Sequence, residues 1–152
     1  MKCKLLSLLL IACCLGASAC SLPFLGREDS VLVSFTEEEK VATVEQVTED
    51  MVAIRVLKVQ GEETLIGVMQ TLQADGELTF TESGGMIMSV NGKENATDWS
   101  ACWMLYTSDA ELANNAWGEV EYKGEKLGSA IVGANELPVV EGAVYVWSYQ
   151  GF

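Results

Sequence analysis

Trp99-Ser-Ala-Cys-Trp-Met-Leu-Tyr-Thr-Ser-Asp109 decides how this chain folds. Two tryptophans, a tyrosine and the only cysteine far from the N-terminus fall within its eleven positions. Strand alternation puts Ala101, Trp103 and Leu105 on one face and Cys102, Met104 and Tyr106 on the other. Both faces are apolar, so the stretch reads as a central strand covered on both sides.

Working outward, Glu141-Gly142 turns into a last strand, Ala143 to Gln150. Val144 and Val146 share one of its faces, and Tyr145, Trp147 and Tyr149 share the other. Between the two strands lies a long insertion, Asp109 to Leu137, closed by Pro138. Within it Trp117–Tyr122 and Lys126–Val132 are placed to pair across Lys123-Gly124-Glu125. On the N-terminal side, Met86–Val90 runs into Asn91-Gly92, the strongest short hairpin signal. Leu78 and Phe80 alternate with threonines before the Gly84-Gly85 turn. Leu65, Val68, Met69 and Leu72 recur at helical spacing, which predicts a helix from Thr64 as N-cap to about Asp75, with Gly76 as stop. Met51–Val59 reads as a buried strand entered from a turn at Thr48-Glu-Asp50. Thr36-Glu-Glu-Glu39 has capping-box spacing, but the β-branched content of Val41–Val47 favours a strand there. Val31–Phe35 offers a further short strand. The order predicts an α+β fold: a mixed β-sheet, one packed helix (about 64–75) and a long insertion before the last strand. Residues 31–152 read as a single domain, with no repeat or low-complexity tract.

Several of these landmarks carry a family resemblance. Thr64-Leu65 opening the helix, Ser89-Val-Asn-Gly92, Cys102-Trp-Met-Leu-Tyr106 and Val140-Glu-Gly142 before Val144-Tyr-Val-Trp-Ser-Tyr149 resemble the transcobalamin C-terminal-like family of bacterial surface proteins. The resemblance covers roughly Met51 to Tyr149. It implies a β-grasp-like fold related to soluble-ligand-binding β-grasp domains. In the vitamin-carrier relatives this domain covers one side of a bound cobalamin and a helical barrel supplies the other. Cobalamin therefore ranks behind other ligands for this chain.

The N-terminus reads as an address. Met1-Lys-Cys-Lys is a basic n-region, and the apolar run Leu5–Leu15 is too short for a bilayer but suits a secretory h-region. Ala17-Ser-Ala-Cys20 resembles the lipobox of bacterial lipoproteins, with Cys20 as the lipidated residue; Leu10-Ile-Ala-Cys13 would leave a shorter h-region. The expectation is a signal peptide at 1–19, a lipid anchor on Cys20, a tether at 20–30 and residence on the extracellular face of the cell membrane. The alternative is ordinary cleavage at Ala17-Ser-Ala19 and secretion. Two acyl chains would hold the protein stably where one is marginal.

Composition narrows the chemistry. The net charge is −13, and loss of Lys2 and Lys4 with the signal makes it more acidic. Such a surface repels phosphate backbones, so nucleic acid is not expected as a partner. There is no histidine, which removes the usual general base and the commonest metal ligand. Cys3, Cys13, Cys14 and Cys20 lie in or end the signal, leaving Cys102 as the single thiol of the folded part. It reads as a small buried hydrophobe rather than a nucleophile, and an intramolecular disulfide is impossible. Glu37-Glu-Glu39, Glu49-Asp50 and Glu62-Glu63 lack the spacing of a calcium loop and read as solvated acid. Asn95-Ala-Thr97 matches a glycosylation sequon that carries no weight in a bacterial-looking chain. No cofactor, metal or enzymatic activity is expected.

The candidate ligand-binding residues are Trp103, Tyr145, Trp147 and Tyr149, an aromatic face with polar tips suited to flat rings, sugars or peptides. The plainer reading is that the Asp109–Leu137 insertion covers that face as a second core layer. The sequence therefore points to a non-catalytic binding module for a small ligand or glycan. The alternative is an adhesion or protein–protein module that docks an envelope protein through a sheet edge or the insertion. A pocket beside Trp147 favours the first and a flat exposed patch the second.

Overall fold

The computed structural model describes residues 40–61 and 63–152. The signal peptide, Cys20, the tether, the Val31–Phe35 strand and the Thr36–Glu39 capping box lie outside the described residues.

Nine strands and one helix are described: β1 (Ala42–Thr48), β2 (Met51–Val56), α1 (Leu65–Ala74), β3 (Phe80–Ser83), β4 (Met86–Val90), β5 (Lys93–Glu94), β6 (Ala101–Thr107), β7 (Ala113–Tyr122), β8 (Glu125–Ala130) and β9 (Val144–Gly151). Six of the strands form one sheet in the order β1-β2-β9-β6-β8-β7, and β3-β4-β5 form a second. The fold is α+β and dominated by strands. Of the Trp99–Asp109 stretch, Ala101–Thr107 forms β6, which lies beside β9 at the middle of the larger sheet.

The sheet is not mixed, contrary to expectation. Every described strand pair is antiparallel. The reason is topological. The crossover through α1 leaves β2 and β6 running in the same direction, but β9 inserts between them and pairs antiparallel with both.

Local chemistry explains most elements. The β-branched residues of Val41–Val47 prevail, and β1 and β2 form a hairpin around Glu49-Asp50, where the Thr48 hydroxyl accepts the Asp50 N–H at 3.1 Å. Asn91 (φ 47°) and Gly92 (φ 81°) both take positive φ, as a type I′ turn requires. Lys123 (φ 50°) and Gly124 (φ 82°) do the same between β7 and β8. The helix buries Leu65, Val68, Met69 and Leu72, the four residues its periodicity singled out. Its C-terminus closes with Gly76 N–H on Gln73 C=O (3.1 Å) and Glu77 N–H on Leu72 C=O (2.9 Å), with Gly76 at φ 75°.

The N-terminus of α1 departs from expectation. Thr64 holds the N-cap position but its side chain makes no capping bond. Its backbone instead pairs with Pro138. Leu65 N–H donates to Leu137 C=O (2.9 Å) and Ile66 N–H to Ala134 C=O (3.0 Å). Two of the free helix donors are thus satisfied by a neighbouring backbone segment rather than by a side chain.

The larger sheet carries a hydrophobic cluster on each face. On one side Val52, Ile54, Val56, Trp103, Leu105, Tyr145 and Trp147 pack with α1, with Ile87 and Val90 of β4, and with Ala134, Leu137 and Val139. On the other, Ala53, Tyr106, Val144 and Val146 pack with Val120, Tyr122 and Leu127 of the β7–β8 hairpin. The insertion therefore covers both faces: its β7–β8 hairpin packs on the one opposite Tyr145 and Trp147, and its Ala134–Leu137 end packs, with α1 and β4, on theirs.

That arrangement requires a strongly curled sheet. Five strand spacings of about 4.8 Å would separate β1 from β7 by about 24 Å in a flat sheet. Yet Tyr122 hydroxyl donates to Glu45 Oε2 of β1 at 2.7 Å, and Lys123 Nζ meets the same oxygen at 2.6 Å. The two edges are latched together by one carboxylate. Curling is helped by the short β6–β8 pairing, Tyr106↔Ser129 and Thr107↔Gly128 only, and by the β7 register jump that loops out 115–118. The space a side chain on Gly128 would need is occupied by the Asn115 carboxamide.

Hydrogen bonding from Lys123, then from Tyr122, holds the Glu45 carboxyl below its ordinary value of 4.5. A folded pKa depressed in this way stabilises the fold above the ordinary value and ceases to do so as pH falls through the depressed one. The stability difference between the wild type and Glu45→Gln is therefore expected to shrink below pH 4.5, and at any pH in high salt, since the latch is exposed. Thermal midpoints of both chains across pH 3 to 7 measure it; a difference independent of pH would rule the latch out.

Candidate functional site

The four sequence-predicted site residues do not form an open face. Tyr145 is 0%, Trp147 4% and Trp103 5% exposed, and only Tyr149 is half-buried. The cover is α1, β4 and the Ala134–Val139 segment, which pack on the face that these aromatics share. Strand alternation shows that such residues point the same way but not what lies over them.

Their surroundings separate them into three roles. Tyr145 anchors a loop: its hydroxyl accepts the Val140 N–H at 3.0 Å and lies 3.4 Å from Pro138 C=O. Burial pushes its pKa up. Trp103 and Tyr149 come together edge to face at 5.5 Å, with Lys93 Nζ 4.3 Å from the Tyr149 ring centre and ion-paired to Asp50. Trp103 also donates Nε1–H to Lys93 C=O (2.8 Å) and its backbone N–H to Asn95 Oδ1 (2.9 Å). These contacts hold β5 and the Asn95 corner against the main sheet. Trp147 differs: its buried Nε1 has no hydrogen-bond partner.

Trp147 and Trp103 both line a cleft. β6 pairs with β9 along its whole length but with β8 at only two residues. Where β8 departs, a cleft of about 310 Å³ opens between β6, the Ser129–Ala134 segment and Gly85–Ile87. Asn95 closes one end, its side chain committed to Trp103 N–H and to Ile87 C=O at 2.9 Å. No acidic or basic side chain lines the cleft, and two lining residues, Met86 and Ile131, are 53% and 42% exposed. Cys102 also lines it. It is half-buried rather than buried, burial raises its pKa, and its thiol faces Met104 Sδ at 3.7 Å. A protonated thiol with a thioether neighbour is poorly suited to nucleophilic work.

A second depression, of about 360 Å³, lies beyond Asn95 and is lined by Thr81, Met88, Glu94, Asn95, Ala96, Thr97 and Trp99. Trp99 is 47% exposed and sits at φ 60°. A bulky residue in that region costs on the order of 1–3 kcal/mol unless its surroundings enforce it. Here they do: Trp99 N–H donates to Ala96 C=O (3.0 Å), and Asp98 Oδ1 accepts the Ser100 N–H (3.1 Å) and hydroxyl (2.7 Å). The Ser100 hydroxyl, then its N–H, lowers the Asp98 pKa. In the sequence Trp99 looks like the end of a core strand. Its signal was the turn-forming pair Asp98 and Ser100 flanking it.

Among the described residues no group of three or more histidine, cysteine, aspartate or glutamate side chains is placed to hold a metal ion. No helix among them is long and apolar enough to cross a membrane. No family model, curated protein or solved structure matches the chain.

Proposed function

We propose that this chain is an exported, lipid-anchored envelope protein whose β-grasp-like domain binds a small, uncharged ligand in the cleft between β6 and Ser129–Ala134, without catalysis. The observation that carries the reading is the cleft itself: about 310 Å³, walled by two core tryptophans and free of charged side chains. Small-ligand sites are concave and mostly apolar, with few polar groups. The order of a first hairpin, a helix and strands returning beside that hairpin supports the β-grasp-like reading and the resemblance to transcobalamin C-terminal-like proteins. Met1–Cys20 supports export and an anchor at Cys20. A docking role has its own observation: Trp117, in the looped-out segment of the edge strand β7, is 63% exposed.

The test is a thermal-shift screen of the Cys20→Ser chain against vitamins, glycans and peptides, repeated with Ala130→Trp, which fills the cleft. A neutral small molecule should raise the midpoint of the first chain and leave the second unmoved. Silence from every small molecule, with a response only to peptides or proteins, would favour docking.

A further inference from the structure

The depression around Trp99 is separate from the cleft beside Trp147, and its chemistry differs. The cleft is apolar, whereas the second depression combines an exposed indole, the Glu94 carboxylate and the Thr81 and Thr97 hydroxyls. We propose that it is a carbohydrate site, taking a pyranose ring that lacks an acidic group.

The indole carries the argument. A tryptophan that served only the core would be buried, as Trp103 and Trp147 are; Trp99 leaves 47% of its surface in solvent. It is held there in a left-handed backbone conformation by a turn closed by Trp99 N–H on Ala96 C=O and by the Asp98 carboxylate on Ser100. The position would suit glycine or asparagine, yet it presents the largest flat side chain available. A flat π-surface bordered by hydrogen-bonding groups matches a sugar ring, which offers an apolar C–H face and a rim of hydroxyls. Glu94 accepts from such hydroxyls, and the two threonines both donate and accept. Thr81 is already paired with Ser89 at 2.7 Å, which leaves Glu94 and Thr97 as the principal partners. The carboxylate and the net charge of −13 disfavour uronic or sialic acids.

The experiment titrates the Cys20→Ser chain with N,N′-diacetylchitobiose and maltotriose, following the Trp99 indole N–H resonance, assigned by its loss in Trp99→Asn. Galacturonate and choline serve as the acidic and cationic comparisons. One or both neutral sugars should shift that resonance saturably, and galacturonate should not. Affinity should fall at least tenfold in Trp99→Asn, a change the left-handed backbone tolerates, and severalfold in Glu94→Gln, which leaves the turn untouched. Ala130→Trp should leave sugar binding unchanged, so this site stands or falls independently of the cleft. No response to either sugar, equal binding of galacturonate, or a response to choline alone would overturn the proposal, as would full affinity in Glu94→Gln.

Discussion

Tyr145→Ala should lower folding stability by about 3–5 kcal/mol, and Tyr145→Phe by about 1–2 kcal/mol. The alanine figure follows from burial: the ring is wholly enclosed, with Ile54 and Thr107 as its cross-strand partners in β2 and β6. The phenylalanine figure follows from one atom. The hydroxyl is the acceptor for Val140 N–H, and removing it deletes that tie between the loop and β9. The consequence travels further than one bond. The segment it pins also supplies the carbonyls of Ala134 and Leu137 that satisfy the first turn of α1, and Val139 N–H returns to Glu63 C=O. Tyr145 thus couples the central strand to the start of the only described helix. Urea denaturation at neutral pH measures both variants. A Tyr145→Phe chain as stable as the wild type would show that the hydroxyl does not anchor the loop.

Local chemistry was legible in the sequence wherever a few adjacent residues decide the outcome. Asn91-Gly92 forms the two-residue turn that its residue types favour, and the Leu65/Val68/Met69/Leu72 stripe is the buried face of α1. The turn expected over Lys123-Gly124-Glu125 is one residue tighter, since Glu125 already pairs with Tyr122 and Lys123 takes φ 50°. Alternation in β6 and β9 assigned their side chains to the correct faces. Pairing between distant strands was not legible. Nothing in Val144–Gly151 says that it inserts between β2 and β6, yet that insertion makes the sheet wholly antiparallel. The same gap affected the site. The β7–β8 hairpin was foreseen, but its covering of Tyr106 and Val146 depends on the curl latched by Glu45, a contact 77 residues away from Tyr122. Trp99 was hidden for a different reason: the core strand starts only at Ala101, and Trp99 belongs to the exposed turn before it, at φ 60°.

Trp103→Phe and Trp147→Phe should differ by about 2 kcal/mol although the two residues are almost equally buried and belong to one cluster. Both substitutions remove similar ring area. Trp103→Phe also deletes the Nε1–H bond to Lys93 C=O and weakens the edge contact with Tyr149, for a total of about 2–3 kcal/mol. Trp147→Phe deletes a buried donor that has no acceptor, and relief of that desolvation cost, about 1–3 kcal/mol, offsets the lost packing. Its net effect should lie within about 1 kcal/mol of zero. The residues are close enough to interact, with Leu105 opposite Trp147 and Trp103 opposite Tyr149 on adjacent strands, so the double variant is needed to separate their effects. Denaturant midpoints with an unchanged slope give the comparison. If Trp147→Phe proves as costly as Trp103→Phe, the Trp147 N–H has a partner in solution, and a ligand in the cleft gains nothing from reaching it.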